Sequence, residues 1–217
     1  LKEANSKCEF FYVGKRAGCN SFLQSEINSL ILKLAKEGKD VVRLKGGDPF
    51  VFSRGGEEVS FLEENGISVE IVPGITSGIA ASSYVGIPLT HRHGASSVTF
   101  VTGHETSEKQ EKSVNWRQLA LSSNSLVIYM GIRNIEYIVE ELIIGGMKRD
   151  TKCAAIQEAT LKNQKSLMTE LSKLPEVIKE NNIKPPAIVI IGRIVDFQVK
   201  NTITKLSAVN LPKIKKI

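Results

Sequence analysis

Gly46-Gly47-Asp48-Pro49 is the stretch of this sequence whose residue types most directly permit ligand chemistry. It closes the run Val41-Val42-Arg43-Leu44-Lys45 and is soon followed by Arg54-Gly55-Gly56-Glu57-Glu58. Two adjacent glycines let backbone N–H and C=O groups approach a ligand with no Cβ in the way. The β-branched run reads as a buried strand, and Glu57 to Asn65 as a helix stopped by Gly66. The loop between them therefore sits at the carboxyl end of a strand, where open α/β sheets bind ligands. It is not a common phosphate cradle, because neither G-x-G-x-x-G nor G-x-x-x-x-G-K-[ST] occurs in the chain.

A second group of chemically capable residues is cationic. Lys15-Arg16, Arg43, Lys45, Arg54 and Arg92 all fall at or beside expected strand ends. Converging on one cleft, they would suit a polycarboxylate or phosphate, with which the guanidinium fork pairs bidentately. The same residues could equally be scattered surface charges or partners of Asp48, Glu57 and Glu58. His91, His93 and His104 have serines nearby, but no G-x-S-x-G elbow accompanies them. His91 and His93 also lack a third ligand at convincing spacing, so no metal is expected.

The elements that must position these groups alternate. The possible capping box Ser21-x-x-Gln24 precedes an amphipathic helix carrying Ile27, Leu30, Ile31 and Leu34, which Gly38 ends. The strand Val41–Leu44, the helix from Glu57, the strand Ile67–Val72 and a small-residue helix from Thr76 to Tyr84 follow. Around His93-Gly94-Ala95 the pattern restarts with strands at Ser97–Thr102, Leu126–Met130, Cys153–Ile156 and Ala187–Ile191. Helices are expected at Trp116–Leu121, Asn134–Ile144 and Leu174–Glu180, and the polar stretch 105–114 as a loop. This alternation predicts an α/β protein with parallel sheet. The expected domains are 1–94 and 95–197, each α/β, with a tail at 198–217.

Bulk properties fit a globular protein of 217 residues, 41% hydrophobic and 24% charged. No apolar run is long enough to span a bilayer. The chain begins at Leu1 without a signal-like apolar segment, and its three cysteines point to a reducing compartment, the cytoplasm or a plastid stroma. The net charge is +6, but five lysines (Lys200, Lys205, Lys213, Lys215 and Lys216) stand in the last twenty residues, which hold no acid. Setting those five aside leaves 24 basic residues against 23 acidic ones, which argues against a nucleic-acid-binding body.

Taken in order, V-G-K-R-A-G at Val13–Gly18, V-V-R-L-K-G-G-D-P-F at Val41–Phe50, R-G-G-E-E at Arg54–Glu58, V-P-G-I-T-S at Val72–Ser77, G-I-P-L-T-H-R at Gly86–Arg92, F-V-T-G-H at Phe100–His104 and Y-M-G at Tyr129–Gly131 form a set. This set resembles the tetrapyrrole methylase family, and within it the members that methylate uroporphyrinogen III. The resemblance covers about residues 10 to 195. It implies two α/β domains with the active site in the cleft between them, a homodimer, and S-adenosylmethionine as methyl donor without a metal. The implied reaction is C-methylation of uroporphyrinogen III at C2 and C7 to precorrin-2, for sirohaem and corrinoid synthesis. By motif, Gly46, Gly47, Asp48, Val51, Thr76, Ser77, Met130 and Ala159 match cofactor contacts, and Lys15 matches the family's proton donor. Arg16, Arg54, Glu57 and Arg92 stand as substrate-binding residues, the arginines being the complement of the substrate's acetate and propionate arms.

Three positions depart from the family pattern. Ser53 and Ala159 stand where glycine is common. The family's opening strand, its G-x-G-P-G-D-P loop and the following proton-accepting acid have no counterpart from Leu1 onward, so the chain is expected to be a truncated and inactive copy. Two other readings are weighed: an RNA-modifying methylase of the same superfamily, suggested by the basic tail, and a non-catalytic remnant. No membrane or nucleic-acid partner is expected under the main reading.

Overall fold

A computed structural model describes residues 4–14, 22–104 and 114–199. The chain divides into two compact units, Leu1–Gly74 and Ile75–Ile217. The stretch 75–94, assigned above to the N-terminal domain, packs with the second unit. Its Thr76 and Gly78 bond to Tyr129, its Leu89 carbonyl accepts from Ser125 Oγ, and its Gly86 carbonyl accepts from Val199 N.

The first unit is built on two helices, α1 (Gln24–Lys36) and α2 (Gly55–Glu64). The i, i+3, i+4, i+7 stripe buries Ile27, Ile31 and Leu34, and Ile27 and Ile31 meet Leu62 of α2 in a small core. Ser21, the first residue of the expected capping box, lies outside the described residues; the Glu26 carboxylate accepts the Leu23 N–H at 2.6 Å. Gly38 and Gly66 follow the two helices in the left-handed region, where glycine is unstrained.

The expected strands Val41–Leu44 and Ile67–Val72 form no ladder among the described residues. Their period of two is present all the same. Val41, Arg43 and Lys45 are half-buried between exposed Val42 and Leu44, and Ile67 and Val69 between exposed neighbours. The alternation records which side packs on the helices, as Val41, Ile67 and Val69 do. A strand also needs a neighbour to take up its N–H and C=O groups, and that cannot be read from alternation.

The second unit holds a five-stranded sheet of order β1-β2-β5-β3-β4: β1 Thr99–Thr102, β2 Leu126–Tyr129, β3 Lys152–Gln157, β4 Lys165–Glu170 and β5 Ala187–Ile191. The sheet is mixed, which corrects the parallel expectation. Only β1 and β2 are parallel; β5 enters antiparallel between β2 and β3, and β3–β4 is a hairpin. β4 escaped the sequence reading because Lys165–Glu170 is an edge strand, largely exposed and poor in β-branched residues.

The inner strands β2, β3 and β5 are buried on both faces, hence their continuous apolar runs. Helices α4 (Trp116–Ser122), α5 (Ile135–Ile144) and α6 (Leu174–Glu180) supply Trp116, Ile138, Leu142 and Leu174 to the core shared with Leu126 and Ile128. Val127 and Tyr129 alternate to the opposite face, where α3 (Ser77–Tyr84) packs. No helix among the described residues is long and apolar enough to cross a membrane.

Leu142 is fully buried at the centre of this core. Leu142→Ala should cost about 2–5 kcal/mol through lost contacts and the cavity left behind. Urea unfolding should show a lower midpoint at unchanged m-value.

Candidate active site

In the first unit the loop 46–54 is turned by Asp48. Its Oδ1 accepts the N–H groups of Phe50 (2.8 Å) and Val51 (3.2 Å), and its Oδ2 accepts that of Gly74 (3.1 Å). The N–H bonds of Phe50 and then Gly74 hold its carboxyl below the usual range, outweighing slight burial, and Val51 adds to them. Pro49 O accepts from Gly55 N at 3.0 Å, and Ser53 Oγ donates to the carbonyls of Asp48 and Pro49. A Cβ on Gly74 would collide with the Gly47 carbonyl, and one on Gly55 with Pro49 O, so both glycines are needed for close backbone approach. Gly46 and Gly47 are exposed, and a side chain at Gly46 would meet nothing within 4 Å. The loop thus presents bare, fixed backbone to open space, which fits a ligand recognised through N–H and C=O groups.

In the second unit β1, β2 and β3 run in the same direction, so their carboxyl ends share one edge of the sheet. Thr102-Gly103, Tyr129-Met130-Gly131 and Gln157-Glu158-Ala159 all emerge there. Gly103 N bonds Tyr129 O at 2.7 Å, Asn134 Nδ2 donates to Gly103 O at 2.7 Å, and a Cβ on Gly103 would collide with Gly131. Met130 (φ 54°), Glu158 (φ 48°) and Thr160 (φ 72°) hold left-handed backbone at this edge, an uncommon conformation for such residues and one that clusters at ligand sites. The Tyr129 hydroxyl pairs with Thr76 Oγ1 (2.8 Å) and accepts from Gly78 N (2.9 Å), tying the first turn of α3 to the same edge. A Cβ on Gly78 would press on that hydroxyl and stand 2.8 Å from Val127 Cγ1.

The expected cofactor residues therefore form two sets. Gly46, Gly47, Asp48 and Val51 share the loop of the first unit, while Thr76, Ser77, Met130 and Ala159 share the sheet edge of the second. Lys15 and Arg16 lie outside the described residues. Arg54 Nη2 bonds Glu57 Oε2 at 2.6 Å, both side chains being exposed, and Arg92 is exposed on the His91–Ala95 turn. Arg43 and Lys45 instead turn onto Glu58, at 3.3 and 3.0 Å. Burial pushes the Glu58 carboxyl up, but hydrogen bonds from Lys45 and Gln24 and the charges of Arg43 and Lys45 outweigh it and hold the group below its ordinary value. For these two cations the ion-pair reading is the right one. His91 stacks on Phe197, with ring centroids 4.1 Å apart. The buried Cys153 thiol is pushed up by desolvation, against a weaker pull from Lys152, and is not a nucleophile.

Two residues escaped sequence reasoning as parts of the site. Tyr129 stood in a matched motif, but only the fold shows its hydroxyl meeting α3. Glu58 was one acid among several until its burial was known.

The sequence matches the profile of the tetrapyrrole (corrin/porphyrin) methylases over residues 2–175. The chain belongs to the tetrapyrrole methylase family. Among members, it is 47% identical over 197 residues to the uroporphyrinogen-III C-methyltransferase of Methanocaldococcus jannaschii, covering 90% of this chain and 81% of that one. It is 45% identical over 200 residues to a Bacillus subtilis uroporphyrinogen-III C-methyltransferase, covering 92% and 77%. The crystal structure of the uroporphyrin-III C-methyltransferase of Thermus thermophilus in complex with S-adenosylhomocysteine matches with a TM-score of 0.69 at 36% identity, over 80% of this chain and 74% of that one. The Thermus thermophilus enzyme shares the mixed α/β architecture described above.

Two outcomes follow from this geometry. Asp48→Ala should weaken binding of S-adenosylhomocysteine, measured by titration calorimetry, more than it lowers the thermal midpoint, since the half-buried carboxylate's main work is to shape the loop. Because its pKa is depressed, that shaping persists above the ordinary carboxylate range and is lost as pH falls through the lower folded value. Tyr129→Phe should cost about 1–3 kcal/mol of stability, because it strands the buried Gly78 N–H and Thr76 hydroxyl. Urea denaturation at neutral pH reads the second effect.

Proposed function

We propose that this protein transfers methyl groups from S-adenosylmethionine to C2 and C7 of uroporphyrinogen III, forming precorrin-2. The observation that carries the reading is the 47% identity to a uroporphyrinogen-III C-methyltransferase over 90% of the chain. When bound, S-adenosylmethionine supplies a methyl group already activated on a positively charged sulfur. The pyrroles of the acceptor are electron-rich, so the protein's task is alignment and exclusion of water.

We assign methyl-donor binding to Gly46, Gly47, Asp48, Val51, Thr76, Ser77, Met130 and Ala159. Fixed backbone at the Gly46–Val51 loop and at the Met130 and Ala159 turns suits the amide-like edge of an adenine and the polar ribose. Asp48 acts by holding the loop. Lys15 takes the proton-donor role of its motif, while the proton that leaves the macrocycle after each transfer needs a separate acceptor. Arg16, Arg54 and Arg92 pair with the acetate and propionate arms. Glu57 keeps the Arg54 guanidinium turned and ordered until a substrate carboxylate competes for it. The active species is a homodimer in this reading, which sedimentation velocity can test.

Anaerobic incubation of the full-length protein with uroporphyrinogen III and S-adenosylmethionine should yield precorrin-2 absorbance. Tight S-adenosylmethionine binding with no methyl transfer to the tetrapyrrole would overturn the substrate assignment. Replacing Arg54 or Arg92 with Leu should lower kcat/KM for uroporphyrinogen by roughly 10- to 150-fold, the loss of one charge-assisted contact of about 1.5–3 kcal/mol. Affinity for S-adenosylhomocysteine should stay unchanged in both variants.

A further inference from the structure

The Gly46–Val51 loop is tied at its entry to one buried carboxylate of the helix into which it leads. Lys45, the residue before Gly46, is 11% exposed and donates from Nζ to Glu58 Oε2 at 3.0 Å. Arg43, two residues earlier on the same half-buried side, donates from Nε to Glu58 Oε1 at 3.3 Å. Glu58 itself is 6% exposed, sits in the first turn of α2 and also accepts from Gln24 Nε2 of α1 at 2.9 Å. On the other side of the loop, Glu58 N bonds Arg54 O and Gly55 N bonds Pro49 O. One acid thus fixes the entry to the loop against the helix into which the loop exits.

No ladder holds the segment 41–45 among the described residues, so side-chain bonds do that work. Two cations against one carboxylate would be a costly arrangement for stability alone. Burying charges carries a desolvation penalty that apolar residues of similar volume avoid. The arrangement makes sense where position counts, because a ligand bound through backbone atoms requires the loop to be held to a fraction of an ångström.

We propose that Glu58 is a positioning residue for methyl-donor binding: through Lys45 and Arg43 it holds the Gly46–Val51 loop against α2 in its receptive shape, without touching the donor. This rests on the assignment of that loop to S-adenosylmethionine. The test compares Glu58→Gln, Lys45→Met, their double variant and Leu62→Ala in the full chain. Leu62→Ala loosens the same helix from its core side, where it packs with Ile27 and Ile31, so it reports what plain destabilisation does.

Calorimetry with S-adenosylhomocysteine, well below each thermal midpoint, should show Glu58→Gln weakened about tenfold or more, with Leu62→Ala within about twofold of wild type. Amide exchange at Phe50 and Val51, the N–H groups held by Asp48, should speed up in Glu58→Gln and not in Leu62→Ala. The double variant should bind no worse than the weaker single variant, because both break one linkage. Wild-type affinity and wild-type exchange in Glu58→Gln, alongside a lowered midpoint, would make Glu58 merely structural and overturn the proposal. Additive losses in the double variant would do the same. Should Glu58→Gln not fold, Lys45→Met against Leu62→Ala gives the same comparison, and equal affinities overturn it. A wild-type protein that binds neither S-adenosylhomocysteine nor S-adenosylmethionine would instead remove the functional reading on which the proposal stands.

Discussion

Where a strand stops, its backbone N–H and C=O groups still need partners, and in this protein meeting that need is what builds the site. Asp48 takes up three N–H groups around one loop. The Tyr129 hydroxyl takes up the first-turn N–H of α3, and Asn134 donates to the carbonyl left at the end of β1. Each side chain meets the demand of an ending element and, in doing so, fixes where the next element starts. The backbone left over at exposed Gly46 and Met130 and at half-buried Ala159 is bordered by groups held in this way, the pre-organisation by which backbone can recognise a ligand.

Charge is used in two different ways. The Arg54–Glu57 pair is exposed on both sides, and such pairs contribute about 0.2–1 kcal/mol. Breaking it therefore costs the fold little. The Glu58 side chain is 6% exposed and that of Lys45 11%, with Arg43 at 29%, and removing one partner from a buried pair costs about 3–5 kcal/mol because a charge is left buried. That cluster cannot be given up. Burial therefore separates cations available for binding from cations committed to structure, although Arg43, Lys45 and Arg54 look alike in the sequence.

That separation also marks how far the sequence could be read. Helices with long periodic stripes, such as α1 and α5, were legible within a residue or two, since the period of burial is written in the apolar residues themselves. The strands of the second unit were legible because β2, β3 and β5 are buried on both faces. Pairing was not. Nothing in Ala187–Ile191 says that it enters antiparallel between β2 and β3, and Lys165–Glu170 is too polar to announce an edge strand. The same limit applies to the site. Glycines and turn acids announce the Gly46–Val51 loop locally. The Tyr129–Gly78 and Glu58–Gln24 bonds join residues 51 and 34 positions apart, and only the fold brings those together.

Ser53 and Ala159, where the family pattern favours glycine, can be judged on the same terms. Ser53 lies between two residues in the left-handed region, Phe52 at 51° and Arg54 at 63°, yet is not itself in that region. Its hydroxyl donates to Asp48 O at 2.9 Å and also to Pro49 O, so the added atoms point into the loop's own framework and away from its open side. A glycine there would surrender those bonds and widen the range of unfolded conformations, which makes serine the more rigid choice. Ala159 stands between Glu158 and Thr160, whose positive φ values already set the course of the turn. Its methyl group asks for no conformation that the turn does not supply, and its N–H and C=O remain as usable as a glycine's. Neither position therefore requires glycine for its backbone, and at Ser53 the side chain adds a contact that glycine lacks.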